Sequence, residues 1–94
     1  MKEKSIETLR KGIGEIDRDM VGLFEKRMAL ARKIGLEKAK LKLPVHDPGR
    51  EEELIEKNIG YLKDKNLLPY YLEFQKKVFA LSRSYQENNP ARGI

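Results

Sequence analysis

The sequence predicts an all-α chain of three helices, one long and two shorter. Apolar side chains recur at alternating spacings of three and four along the first forty residues, and only a helix brings such positions onto one stripe. No stretch of useful length alternates with the period of two that a strand would show. Two X-Pro junctions, Asp47-Pro48 and Leu68-Pro69, open further segments with the same helical spacing.

The first element runs from Ile6 to about Lys42. Ile6, Leu9, Ile13, Ile16, Met20, Leu23, Leu30, Ile34 and Leu41 hold the a and d places of a heptad. At a rise of about 1.5 Å per residue such a helix is about 55 Å long. A compact chain of this size has a radius of gyration of roughly 12 Å. One chain cannot cover that stripe, so a second copy is expected to supply the missing core. Gly12, Gly14, Gly22 and Gly35 interrupt the helix, each costing up to about 1 kcal/mol relative to Ala. Packing has to override propensity there, and close approach of another helix is one reason to keep them.

Leu43 to Pro48 ends the first helix and starts the second, with Asp47 as N-cap and Pro48 in the first helical position. The second helix is expected to reach about Asp64, turning Leu54, Ile55, Ile59 and Leu62 inward. A turn at Asn66–Leu68 leads to the third, which opens at Pro69 and presents Tyr71, Phe74, Val78, Leu81 and Tyr85 at helical spacing. Asn88-Asn89-Pro90 ends it. The chain reads as a single domain, 1–94, with 1–5 and 88–94 frayed.

Composition narrows the function. Hydrophobic residues make up 39% of the chain, and there is no Cys, which removes disulfides, thiolate nucleophiles and Cys-based metal sites. His46 is the single imidazole. No apolar run approaches the ~20 residues of a membrane span, and the first residues lack the apolar core of a signal peptide; a cytoplasmic protein is expected. The net charge is +5, but acidic and basic residues interleave, as in Glu37-Lys38-Ala39-Lys40, without the basic tail of a nucleic-acid binder.

Polar residues on apolar faces carry the functional signal. Arg27 takes an a position between Leu23 and Leu30, where a guanidinium needs an ion pair or a bound anion. Lys38, eleven residues on, returns to within roughly 20° of the same face. Arg10 lies about 25 Å from Arg27 along one helix and, taken alone, reads as a surface cation. In an antiparallel two-fold pair of long helices it reaches the partner's Arg27–Lys38 region, provided the dyad crosses between Asp19 and Phe24. Asp47, Arg50 and Glu51 share a face at the head of the second helix. Capping and dipole complementarity account for Asp47 and Glu51 at the least, while Glu51 also aligns with Ile55 and Leu62. Ser82 and Gln86 stack beside the third helix's apolar seam.

Taken in order, Leu9-Arg10, Glu25-Lys26-Arg27, Ile34-Gly35 with Lys38, Pro44-Val45-His46-Asp47-Pro48-Gly49-Arg50-Glu51, and Ser82 followed by Gln86 resemble the helical class of chorismate mutase over residues 6 to 87. The run at 44–51 is the most specific part. The resemblance implies an intertwined homodimer with antiparallel long helices and two equivalent sites, each completed by the opposite subunit's arginine. Carried over residue by residue, Arg10 from the partner and Arg27 bind the two carboxylates of chorismate. Lys38 contacts the ether oxygen and a carboxylate, and Gln86 is the second donor to that oxygen. Asp47 and Glu51 hold the ring hydroxyl, Arg50 supports the carboxylate end, and Ser82 touches the ring carboxylate. The implied reaction, chorismate to prephenate in phenylalanine and tyrosine biosynthesis, uses no cofactor and no metal.

The resemblance further implies a free-standing enzyme, since 94 residues leave no room for a fused dehydratase, dehydrogenase or regulatory domain. It is compatible with docking onto another enzyme of the shikimate pathway. Two alternatives stand beside it: an isochorismate pyruvate lyase of the same fold, and a non-enzymatic basic helical dimer that binds nucleic acid or an acidic partner.

Overall fold

The computed structural model describes residues 2–88, with side chains from residue 5 onward. The chain is all-helical: α1 (Lys2–Lys40), α2 (Pro48–Ile59), a 3-10 turn (Lys65–Leu67) and α3 (Leu68–Glu87) follow in that order. No strand occurs among the described residues. Of the segments expected to fray, 1–5 and 88–94, residues 1 and 89–94 lie outside them, whereas α1 already begins at Lys2 and Asn88 caps α3.

By its internal contacts the chain divides into two units, Met1–Leu30 and Ala31–Ile94. In the first, the heptad stripe is uncovered. Leu9, Ile13, Ile16, Leu23 and Leu30 are each 59–68% exposed, and Ile6 and Met20 are 48% and 47% exposed. Arg10 is exposed, whereas Arg27 is half-buried and has an interaction partner.

The second unit contains the last turns of α1 and everything after. Helix α1 stops at Lys40, two residues before the expected end, because Lys42 takes a left-handed conformation (φ 57°). The Leu43 amide donates back to the Lys38 carbonyl at 2.8 Å, and the Lys42 amide to Ala39 at 3.2 Å. These two bonds form a Schellman motif, which satisfies carbonyls that the helix end would otherwise leave open. A lysine stands where glycine is usual.

Asp47 caps α2 as the sequence predicts. Its carboxylate accepts from the Arg50 amide at 3.1 Å, with Pro48 in the first turn. The helix ends at Ile59 rather than Asp64, since the Gly60, Tyr61 and Leu62 amides fold back on Lys57, Asn58 and Ile59 as tight turns. Asp64 instead caps the following 3-10 turn, accepting from the Asn66 amide at 3.0 Å. That turn occupies 65–67 and α3 begins one residue before Pro69.

The stripe of α3 that is covered within the chain is not its apolar series. Gln75, Phe79, Ser82 and Gln86 are buried, one position round from the apolar series, in which Phe74, Leu81 and Tyr85 remain 40–52% exposed. The helix turns its mixed polar face toward its own chain and leaves the apolar seam only partly covered, with Tyr71 and Val78 half-buried. Among the described residues the buried apolar side chains are Ala31, Val45 and Phe79, a core too small to hold the helices by hydrophobic burial alone.

Candidate active site

Two contacts from different helices converge on the last turns of α3. From α1, Gly35 lies against Gln86: a β-carbon built on Gly35 would stand 3.0 Å from Cγ and 3.1 Å from Cβ of that side chain. From α2, Glu51 meets Arg83, whose Nη1 donates to Oε2 at 2.5 Å. Arg83 and Gln86 are three residues apart and Ser82 four before Gln86, so these side chains occupy neighbouring positions on one helix.

Lys38 follows Gly35 by one turn of α1 and so lies on the same helix face. It is half-buried, and its ammonium donates to the Val45 carbonyl at 2.8 Å. That bond draws the connecting segment over the end of α1, where Val45 is 8% exposed. An ammonium has three donors, so the bond to Val45 fixes the side chain without exhausting it.

Gln86 is 7% exposed, and its amide oxygen is buried with no hydrogen-bond partner. Leaving a buried polar atom unpaired costs about 1–3 kcal/mol. Ser82, also 7% exposed, has a partner. Farther up the same stripe Gln75 accepts from the Tyr71 hydroxyl at 2.6 Å, so the unpaired amide is confined to the end where Lys38 and Glu51 also lie.

At the head of α2, Asp47 has one carboxylate oxygen engaged as the cap. Glu51 is partly buried, with Oε2 on Arg83 and Oε1 3.9 Å from His46 Nε2, beyond hydrogen-bonding reach. Arg50 is exposed and lies 3.6 Å from Glu53 one turn on. Of the residues expected in the site, Lys38, Asp47, Arg50, Glu51, Ser82 and Gln86 belong to the second unit; Ser82 and Gln86 stand on the last turns of α3, and Glu51 reaches that end through Arg83. Arg10 and Arg27 belong to the first unit. Arg83 was not among the expected residues. Its signal was an inward carboxylate at Glu51, which demands a cation on the facing helix.

A fixed ammonium, a carboxylate paired across helices and a buried amide oxygen thus stand on the three helices of an all-α chain. The chain belongs to the chorismate mutase type II family, whose model matches residues 9–87, a span that includes every expected site residue. It is 43% identical over 61 residues to the bifunctional chorismate mutase/prephenate dehydratase of Aquifex aeolicus (strain VF5). The alignment takes in 65% of this chain and 17% of that protein, so the chain corresponds to a small part of its relative. No solved structure matches significantly. The family match favours neither the lyase nor the nucleic-acid alternative. Among the described residues no helix is long and apolar enough to cross a membrane.

Proposed function

We propose that this chain is a chorismate mutase, converting chorismate to prephenate in the cytoplasm as a homodimer. The observation that carries this reading is a fixed ammonium at Lys38, one turn on from the Gly35 that packs against Gln86, whose buried amide oxygen has no partner. The reaction is a rearrangement within one molecule: the ether C–O bond breaks as a C–C bond forms, and no proton, electron or group leaves. A protein accelerates it by holding the compact reactive conformer and by fixing donors where charge develops.

The ether oxygen gains negative charge as its bond to carbon breaks. Lys38 supplies a cationic donor to it. Rotating the terminal amide of Gln86 by half a turn exchanges its oxygen and nitrogen, so the unpaired position becomes an N–H donor to the same oxygen. Both groups are withdrawn from bulk water, which strengthens their effect on the developing charge. Asp47 and Glu51 each keep an oxygen for the ring hydroxyl, Ser82 touches the ring carboxylate, and Arg50 supports the carboxylate end. Arg27 and the partner's Arg10 bind the two carboxylates.

The uncovered heptad stripe supports a dimer. Fully burying a Leu, Ile or Met side chain contributes about 1.5–3 kcal/mol, and these residues are only about half-buried in a single chain. Pairing two such stripes antiparallel covers them and brings each exposed Arg10 to the other chain's site.

The test is direct: purified protein is supplied with chorismate and, separately, with isochorismate. Prephenate formation from chorismate is expected, without cofactor or metal. Release of pyruvate and salicylate from isochorismate, with no turnover of chorismate, would assign the chain to the lyase instead.

A further inference from the structure

We infer that Arg83 is a positioning residue that fixes Glu51 to receive the ring hydroxyl of the substrate, an inference that rests on the mutase reading. Glu51 stands in the first turn of α2, a helix with no fully buried side chain, and a glutamate on such a helix has several rotatable bonds to lose on binding a ligand. Arg83 removes much of that freedom in advance. Its Nη1 takes Oε2 at 2.5 Å across 32 residues of sequence, and both side chains are largely withdrawn from solvent, at 31% and 23% exposure. A charge-assisted bond in that setting is stronger and better directed than an exposed pair.

The geometry also divides the two oxygens of Glu51. Oε2 is engaged by Arg83, whereas the imidazole of His46 stands 3.9 Å from Oε1, too far to bond. Oε1 is thereby the oxygen presented to a ligand. Arg83 lies three residues before Gln86 and next to Ser82, so the hydroxyl acceptor is referenced to the same turn of α3 that carries the ether-oxygen donor. The groups that meet the hydroxyl and the ether oxygen, which sit on adjacent ring carbons, are thus held in register by one helix.

The ring hydroxyl is neither made nor broken in the rearrangement, so a contact to it acts on ground state and transition state largely alike, and its loss raises KM more than it lowers kcat. For Arg83→Ala, KM for chorismate is expected to rise about tenfold with kcat within about threefold of wild type. Because Arg83 contacts Glu51 through one nitrogen, Arg83→Lys should recover most of that loss. The deciding measurement is the affinity, by competition, of a dicarboxylate analogue of chorismate that lacks the ring hydroxyl. Wild type and Arg83→Ala should bind it equally, which a general structural defect would not permit. If Arg83→Ala fails to fold by circular dichroism, Arg83→Met, which keeps the aliphatic stem, is read in its place. An active wild type whose Arg83 variants show no loss, or lose affinity equally for both ligands, overturns this inference and leaves the mutase reading intact. A wild type inactive on chorismate overturns both.

Discussion

Gly35 and Gln86 are in such close contact that the first has no room for a side chain without displacing the second: a β-carbon at 35 would meet Gln86 at Cγ, Cβ and Cα, at 3.0, 3.1 and 3.5 Å. These are atoms near the root of the glutamine, so the side chain cannot swing its far end aside to relieve the clash. Gly35→Ala is therefore expected to lower kcat by roughly tenfold through a misplaced amide, since small errors in a donor's position are costly. The helix-propensity gain of up to about 1 kcal/mol should be outweighed by overpacking of about 1–3 kcal/mol. Steady-state kinetics and a thermal melt check both; unchanged kcat would show that Gln86 does not act.

Lys38→Ala should reduce kcat by at least about a hundredfold, the usual cost of losing a donor to a developing oxyanion. It also removes the bond to Val45, worth about 1 kcal/mol of stability, so rates should be compared on protein shown to be folded. A kcat within about tenfold of wild type would defeat the assignment.

Gln86 donates as a neutral amide and does not titrate, so its contribution should be constant across neutral pH. A glutamate in its place must be protonated to donate. Gln86→Glu is expected to be nearly inactive near pH 8 and to recover activity as the solution is acidified toward about pH 5. A pH–rate profile for the variant parallel to that of wild type would count against donation from this position.

Arg10 offers a test of subunit sharing. Arg10→Ala and Lys38→Ala should each be nearly inactive as pure dimers. Unfolded together in equal amounts and refolded, they form mixed dimers in which one site has both defects and the other has neither. Half the dimers should be mixed, each with one of two sites intact, so about a quarter of wild-type activity returns. No recovery would place Arg10 in its own chain's site or outside any site.

Lys42 adopts the left-handed conformation at the end of α1, which costs a residue with a β-carbon about 1–2 kcal/mol. Part of that is offset by the extra freedom of glycine in the unfolded chain. Lys42→Gly is expected to stabilise by roughly 0.5–1 kcal/mol without changing kcat, as read from chemical denaturation and steady-state rates.

Much of this was legible in the sequence because it follows from local rules. Asp47-Pro48 announces a cap and a first turn, and both are present; the 3-4 spacing from Ile6 to Leu41 gives α1. Boundaries were less legible where competing turns close sooner than the apolar pattern ends. Leu62 fits the period of α2 but lies beyond Gly60, where the backbone has already turned. Which face of α3 its own chain covers was not legible. Hydrophobicity points to Phe74, Leu81 and Tyr85, yet the surface covered within the chain is that of Gln75, Phe79, Ser82 and Gln86. Spacing identifies which residues share a face; it does not say which face meets which neighbour. Arg83 escaped because a lone arginine on a helix has no local mark, and only the fold sets it against Glu51.

The small set of enclosed side chains has a physiological corollary. Among the described residues, Ala31, Val45 and Phe79 are joined in burial by the polar Gln75, Ser82 and Gln86, so the fully enclosed apolar core of a protomer is small. On the proposed pairing, most of what makes the protein cohere is borrowed from its twin. Dilution then works as a denaturant: melting temperature and specific activity should fall together as protomer concentration drops, and the cell sets the enzyme's working state partly by how much of it is made.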